Sequence, residues 1–111
     1  MEKVVKELLK ELQYIETHYN EVKTTSEDFD FYQKVVPYAH YIDGILNELI
    51  QHKDDIIQLA YMNERKFDLL VNNIKELSVD CHFHRTSRKL FTEKFKAVNY
   101  DLNYLLEYTK E

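Results

Sequence analysis

Glycine and proline are almost missing from this chain of 111 residues, which has Gly44 and Pro37 and no others. One glycine cannot build a phosphate-cradling GxxxxGKS/T loop or a GxGxxG turn, and neither pattern is present. P-loop and Rossmann-type nucleotide chemistry is therefore excluded. The shortage of turn residues also argues against an all-β fold. Cysteine is equally scarce. Cys81 alone rules out an internal disulfide framework and suits a reducing compartment. No apolar run approaches the roughly 20 residues of a membrane span. The first residues, MEKVVKELLKELQYIETHYNEVK, are charged throughout and lack an apolar signal-peptide core. The expected location is cytoplasmic. An excess of basic charge is missing too. The net charge is −5, which argues against nucleic acid as a partner.

What is present is helical periodicity. Val5, Leu8, Leu12, Ile15, Tyr19 and Val22 step by three and four and line one helix face. A second stripe reads Phe31, Val35, Tyr38, Ile42, Ile45, Leu49, His52, Ile56, Leu59. A third reads Phe67, Leu70, Ile74, Leu77, Cys81, and a fourth Phe91, Phe95, Val98, Leu102, Leu105. The pattern predicts helices over 2–23, 28–61, 64–82 and 87–109. TTSEDFD at 24–30, Asn63, and Thr86 or Ser87 supply the caps between them. Pro37 should kink the overlong second helix, leaving a short segment before it folded against the end of the molecule. Short connections favour antiparallel neighbours, so the expected architecture is an all-α, up-down-up-down four-helix bundle in one domain, 1–111. That topology brings EDFD to the same end as CHFHRTSR, with His18 close by.

The stretch NNIKELSVDCHFHRTSRKLFTEKFKAVNYDLNYLL, with DFDFYQKVVPYA upstream, resembles the small YppE-like family of Bacillus-type Gram-positive bacteria. The resemblance spans most of the chain and implies a compact four-helix bundle. It brings no activity, cofactor, substrate or functional residue, so each candidate site stands on local chemistry.

DCHFHR, 80–85, is the most chemical-looking stretch. Cys81, His82 and His84 are weak metal candidates, because a zinc-like ion wants about four converging ligands. On a continuing helix Cys81 and His84 share a face while His82 points elsewhere. The residues three before the histidines are Ile15, Pro37, Leu49, Val79 and Cys81. None is Glu, so the Glu-x-x-His pattern of di-iron bundles is absent. Cys81 closes a buried stripe at a helix C-terminus beside Asp80, a setting that opposes a thiolate. No catalytic residue, metal or cofactor is expected.

Arg85, Thr86, Ser87, Arg88 and Lys89 form a basic helix start that opposes the helix dipole, which makes them candidates for anion binding. The plainer expectation is that Glu27, Asp28 and Asp30 neutralise this start from the same end. His52 falls on the second stripe and His40 off it. Tyr100 and Tyr104 lie away from the fourth stripe, and Tyr14 away from the first. Tyrosine combines apolar area with a polar tip, so Tyr100 and Tyr104 are candidates for a protein partner's surface or for self-association. The leading expectation is a non-enzymatic protein working through protein contacts. The alternative is an anion- or metal-binding protein centred on 81–88.

Overall fold

The computed structural model describes residues 1–109, and these are all-α. Helix α1 spans Glu2–Thr25 and ends at Ser26, whose φ of 59° turns the chain out of the helix while its N–H donates to Val22 O. A loop leads into a π-helical turn, Phe31–Val35, and then α2, Val36–Ile50. A single helical turn, α3, covers Lys53–Ile56. Helix α4 spans Glu64–Asp80 and α5 spans Arg88–Thr109.

The expected second helix over 28–61 is therefore not one helix, and the described residues hold five α-helices rather than four. A continuous helix over 28–61 would run about 51 Å at 1.5 Å per residue. The molecule's long axis is 42 Å. Two breaks resolve the excess. Pro37 has no N–H to give, so the regular ladder starts around it, and the preceding turn closes wider: Val35 N–H donates to Asp30 O at 3.2 Å, and Val36 N–H donates to Phe31 O. Beyond Ile50 the bonds tighten instead, with His52 N–H to Leu49 O at 2.9 Å and Met62 N–H to Leu59 O at 2.9 Å.

The stripes meet as predicted. Helix α1 lies against α5 and α2, and α4 lies against the same two. Tyr19, late in α1, stacks on Phe91, early in α5. Tyr61, just before α4, meets Tyr104, late in α5. These neighbours run antiparallel. All six residues of the first stripe are buried, and so are Ile42, Ile45, Leu49 and Ile56, the five of the third stripe, and Phe91, Val98, Leu102 and Leu105. The second stripe fails at its beginning. Phe31 is 48% exposed because the π turn rotates it out of register. No helix among the described residues is long and apolar enough to cross a membrane.

Candidate functional site

The loop after α1 and the α4–α5 junction meet at one end, and backbone bonds join them. Phe29 N–H donates to His82 O at 3.2 Å. Asp28 Oδ1 accepts from His84 N–H at 2.7 Å, and Lys23 Nζ donates to His84 O at 2.6 Å. Residues 26–30 thus form a strap over the junction. Lys23 and Asp28 satisfy groups that the end of α4 and the following turn leave unpaired.

Beneath the strap sit two histidines. His18 Nε2 and His82 Nδ1 lie 2.8 Å apart, a hydrogen bond between α1 and the turn after α4. Both side chains are buried, His18 at 5% and His82 at 2% exposure. The edge of Phe29 meets the His18 ring at 4.2 Å, and Tyr14 stacks on the same ring at 5.4 Å. Tyr38, from α2, meets His82 edge-on at 5.6 Å. The Tyr38 hydroxyl donates to Glu11 Oε1 at 2.9 Å. His82 Nε2 is buried and has no hydrogen-bond partner.

This enclosure favours the neutral form of both rings. Burial, then the neighbouring His18, pushes His82 down to about 4, against the pull of the Ser78 carbonyl. Burial also lowers His18, partly opposed by Glu21. Burial foremost, then Glu11, raises the Tyr38 phenol. A neutral imidazole pair can donate across 2.8 Å in one direction. One more proton leaves the contact with a single proton and puts an N–H on both outer nitrogens, His18 Nδ1 and His82 Nε2.

The structure separates the metal candidates instead of gathering them. Cys81 is fully buried, its thiol near Ser78 O at 3.7 Å. Burial and then Asp80 push that thiol up to about 12. His82 turns in to His18, not away from the core. His84 is exposed, and its backbone carries the strap bonds. Among the described residues no group of three or more His, Cys, Asp or Glu side chains is placed to hold a metal ion.

The basic helix start is built differently from either expectation. Thr86 Oγ1 donates to Asp80 O at 2.7 Å, while Thr86 O accepts from the Tyr19 hydroxyl at 2.7 Å. Ser87 caps α5, its Oγ accepting from Leu90 N–H at 3.3 Å. Arg88 lies over Tyr19 at 5.2 Å and donates to Asn20 Oδ1 at 3.1 Å. Arg85 lies over Phe83 at 5.1 Å. Asp28 and Asp30 reach the same end, but their carboxylates take backbone N–H groups, of His84 and Gln33. Among the described residues Arg85, Arg88 and Lys89 have no ion pair. Lys94 does, with Glu76 and Asp80. A groove of about 320 Å³ lies beside the junction, lined by Arg85, Thr86, Ser87 and Lys94 among others.

The tyrosines lie at the opposite end. Tyr100 is 61% exposed and Tyr108 likewise. Tyr104 is half-buried and packs on the core, and its hydroxyl accepts from Tyr61 N–H at 3.0 Å. Tyr61 touches both Tyr100 and Tyr104, at 5.3 and 5.0 Å between ring centres. A shallow groove of about 580 Å³ runs along Lys96, Asn99, Tyr100, Asn103, Tyr104 and Tyr108. His52 is half-buried at the start of α3, and His40 is exposed.

Sequence reasoning missed the histidine pair. His18 and His82 are separated by 64 positions, and periodicity carries no signal for a bond between two polar side chains. The one usable hint is that His18 and His82 fall at the same end of the topology.

No protein of curated function matches the chain. Solved structures do. A Staphylococcus aureus bacterial domain of unknown function, from the DUF1798 family, is 50% identical, covering 96% of this chain and 93% of that one, with a TM-score of 0.94. YppE from Bacillus subtilis shares the fold at 15% identity, covering 99% and 95%, with a TM-score of 0.88. A Listeria innocua protein of unknown function shares it at 18% identity, covering 96% and 88%, with a TM-score of 0.78. The family model for the bacterial domain of unknown function DUF1798 matches residues 5–109, and the chain belongs to that family, with YppE among its structural neighbours.

Proposed function

We propose that this is a non-enzymatic cytoplasmic protein, an up-down-up-down four-helix bundle with α3 as an appendage, that acts by binding another protein through the outer face of α5. One observation carries the proposal: Tyr100 and Tyr108 stand exposed beside Tyr61 and Tyr104 along a groove that also offers Asn99 and Asn103. Rigid aromatic area with polar tips is what protein interfaces concentrate. Tyr104 is a poor probe of this face because its ring supports the core. Tyr100→Ala with Tyr108→Ala is the better variant. Sedimentation at several concentrations and cross-linking in cells test the proposal. The double variant should lose a cross-linked partner, or self-association, while keeping its melting temperature. An unchanged cross-linking pattern removes this face.

The alternative, a small-anion site at Arg85, Thr86, Ser87, Arg88 and Lys89, draws support from the three cations without ion pairs. The hydroxyls of Thr86 and Ser87 are already engaged, which weighs against it. Phosphate titration followed by amide shifts at 85–90 discriminates. No movement at millimolar phosphate ends that alternative.

A further inference from the structure

We infer that the strap at 26–30 is an acid-released latch, closed by the neutral His18–His82 pair and opened when that pair takes up a proton. Three features of the geometry converge. The two imidazoles are sealed from water by Tyr14, Phe29 and Tyr38. The contact between them holds one proton, so a further proton taken up by the pair leaves an N–H on each outer nitrogen, His82 Nε2 included. The far nitrogen of His82 makes no hydrogen bond, so a proton there becomes a buried N–H helped only by the weak pull of the Ser78 carbonyl. Protonating His82 therefore demands water at a spot the fold keeps dry.

The wall that can yield is the strap. Tyr14 and Tyr38 stand on helices α1 and α2. Phe29 stands on a segment without regular structure, tied down by its own N–H to His82 O and by Asp28 to His84 N–H. Lifting Phe29 uncovers the edge of His18 and lets water reach both rings. The bond that holds Phe29 ends on the backbone carbonyl of His82, so the residue whose ring is protonated also carries an anchor of the latch.

The other titratable and charged groups around the pair come from each element in contact. Helix α1 brings Tyr14 and Glu21, and Glu11 through its bond to Tyr38. The strap brings Asp28, α2 brings Tyr38, and the end of α4 brings Cys81. Tyr14, Tyr38 and Cys81 are all pushed up, so they stay protonated across the acid range. Asp28 is the rival trigger at the junction, because its carboxylate takes the His84 N–H, while Asp30 at the strap's far end takes the Gln33 N–H instead. Asp28→Asn keeps an accepting oxygen and removes its titration.

Amide hydrogen exchange, expressed as protection factors, tests the latch. If opening takes up one proton, protection at Phe29 and His84 falls about tenfold per pH unit below the ordinary histidine range. Core amides such as Leu46 and Leu102, which exchange only through global unfolding, should stay more protected than the strap throughout that range. His18→Gln and His82→Asn keep a hydrogen-bonding group near the contact and should flatten the slope, and Asp28→Asn should leave it. A wild-type strap with no slope overturns the latch. So does a slope that survives both histidine variants, one that disappears in Asp28→Asn, or strap amides as protected as the core, which would mean that they open only on global unfolding. If the histidine variants do not fold, the wild-type protein still decides. The imidazole titration of the pair, read by NMR, must share its midpoint with strap opening, and separate midpoints overturn the proposal.

Discussion

Removing the Tyr19 hydroxyl should loosen the joint between α1 and the start of α5 without disturbing the core. The ring is fully buried and stacks on Phe91 at 3.9 Å. Its hydroxyl donates to Thr86 O at 2.7 Å, across a part-buried contact 67 positions apart in sequence. Tyr19→Phe keeps the ring and leaves the carbonyl unpaired. A carbonyl stranded in this way costs about 1–2 kcal/mol. For a domain of this size that lowers the melting temperature by about 4–8 °C per kcal/mol. In urea the midpoint should fall by about 0.5–1 M, with the slope unchanged. Circular dichroism at 222 nm reads both. Tyr100→Phe, at an exposed position, is the control and should leave the midpoint in place. A Tyr19→Phe midpoint equal to that control would refute the idea that this bond ties α1 to the α4–α5 turn.

Gly44 lies exposed inside α2, and a Cβ built there meets nothing within 4 Å. Gly44→Ala should therefore stabilise the protein by about 0.8–1 kcal/mol through helix propensity, and a lower denaturation midpoint would contradict that. Cys81, buried and with its thiol pushed up to about 12, should resist alkylation in native protein at pH 8 and react at once in denaturant. Fast native labelling would show that the end of α4 opens. The histidine pair makes global stability depend on pH. Its folded values lie below the unfolded one, so the unfolded state binds more protons as pH falls from about 6.5 toward 4, and stability is lost over that window. For His82 the loss reaches about 3 kcal/mol at most. Asp80 and Asp101, raised by burial, act in the opposite direction at the acid end, so the comparison is with His82→Asn.

The helix faces are legible because burial repeats at the helical period, and every residue of the first and third stripes is buried. Asn63 is legible as a cap by residue type, and its Oδ1 accepts from Lys66 N–H at 2.8 Å. The breaks in the second helix are only half legible. Pro37 marks the first. The tightened bonds after Ile50 have no proline or glycine to announce them, and the stripe runs on through Ile56 as though the helix continued. Tyr104 reads as exposed from its distance to the stripe, yet Tyr61, arriving from the loop before α4, covers it. Local periodicity cannot foresee cover from another element. The same limit hides His82. It lies at a helix end, where the phase of the stripe stops fixing direction, and its partner is on α1. The placement of EDFD beside CHFHRTSR needs topology alone, and the Phe29 and Asp28 bonds bear it out.

Whether residues 80–85 are a sealed joint or open chemistry turns on the ionisation of His82. The direct measurement is an NMR titration of its ring nitrogens in the wild-type protein, from pH 8 to the acid limit of the fold. A sealed joint predicts that His82 stays neutral through pH 6 and takes up its proton only toward about 4, with one ring nitrogen showing the hydrogen bond to His18. An ordinary titration near about 6.5, with free exchange of both ring protons, would contradict it.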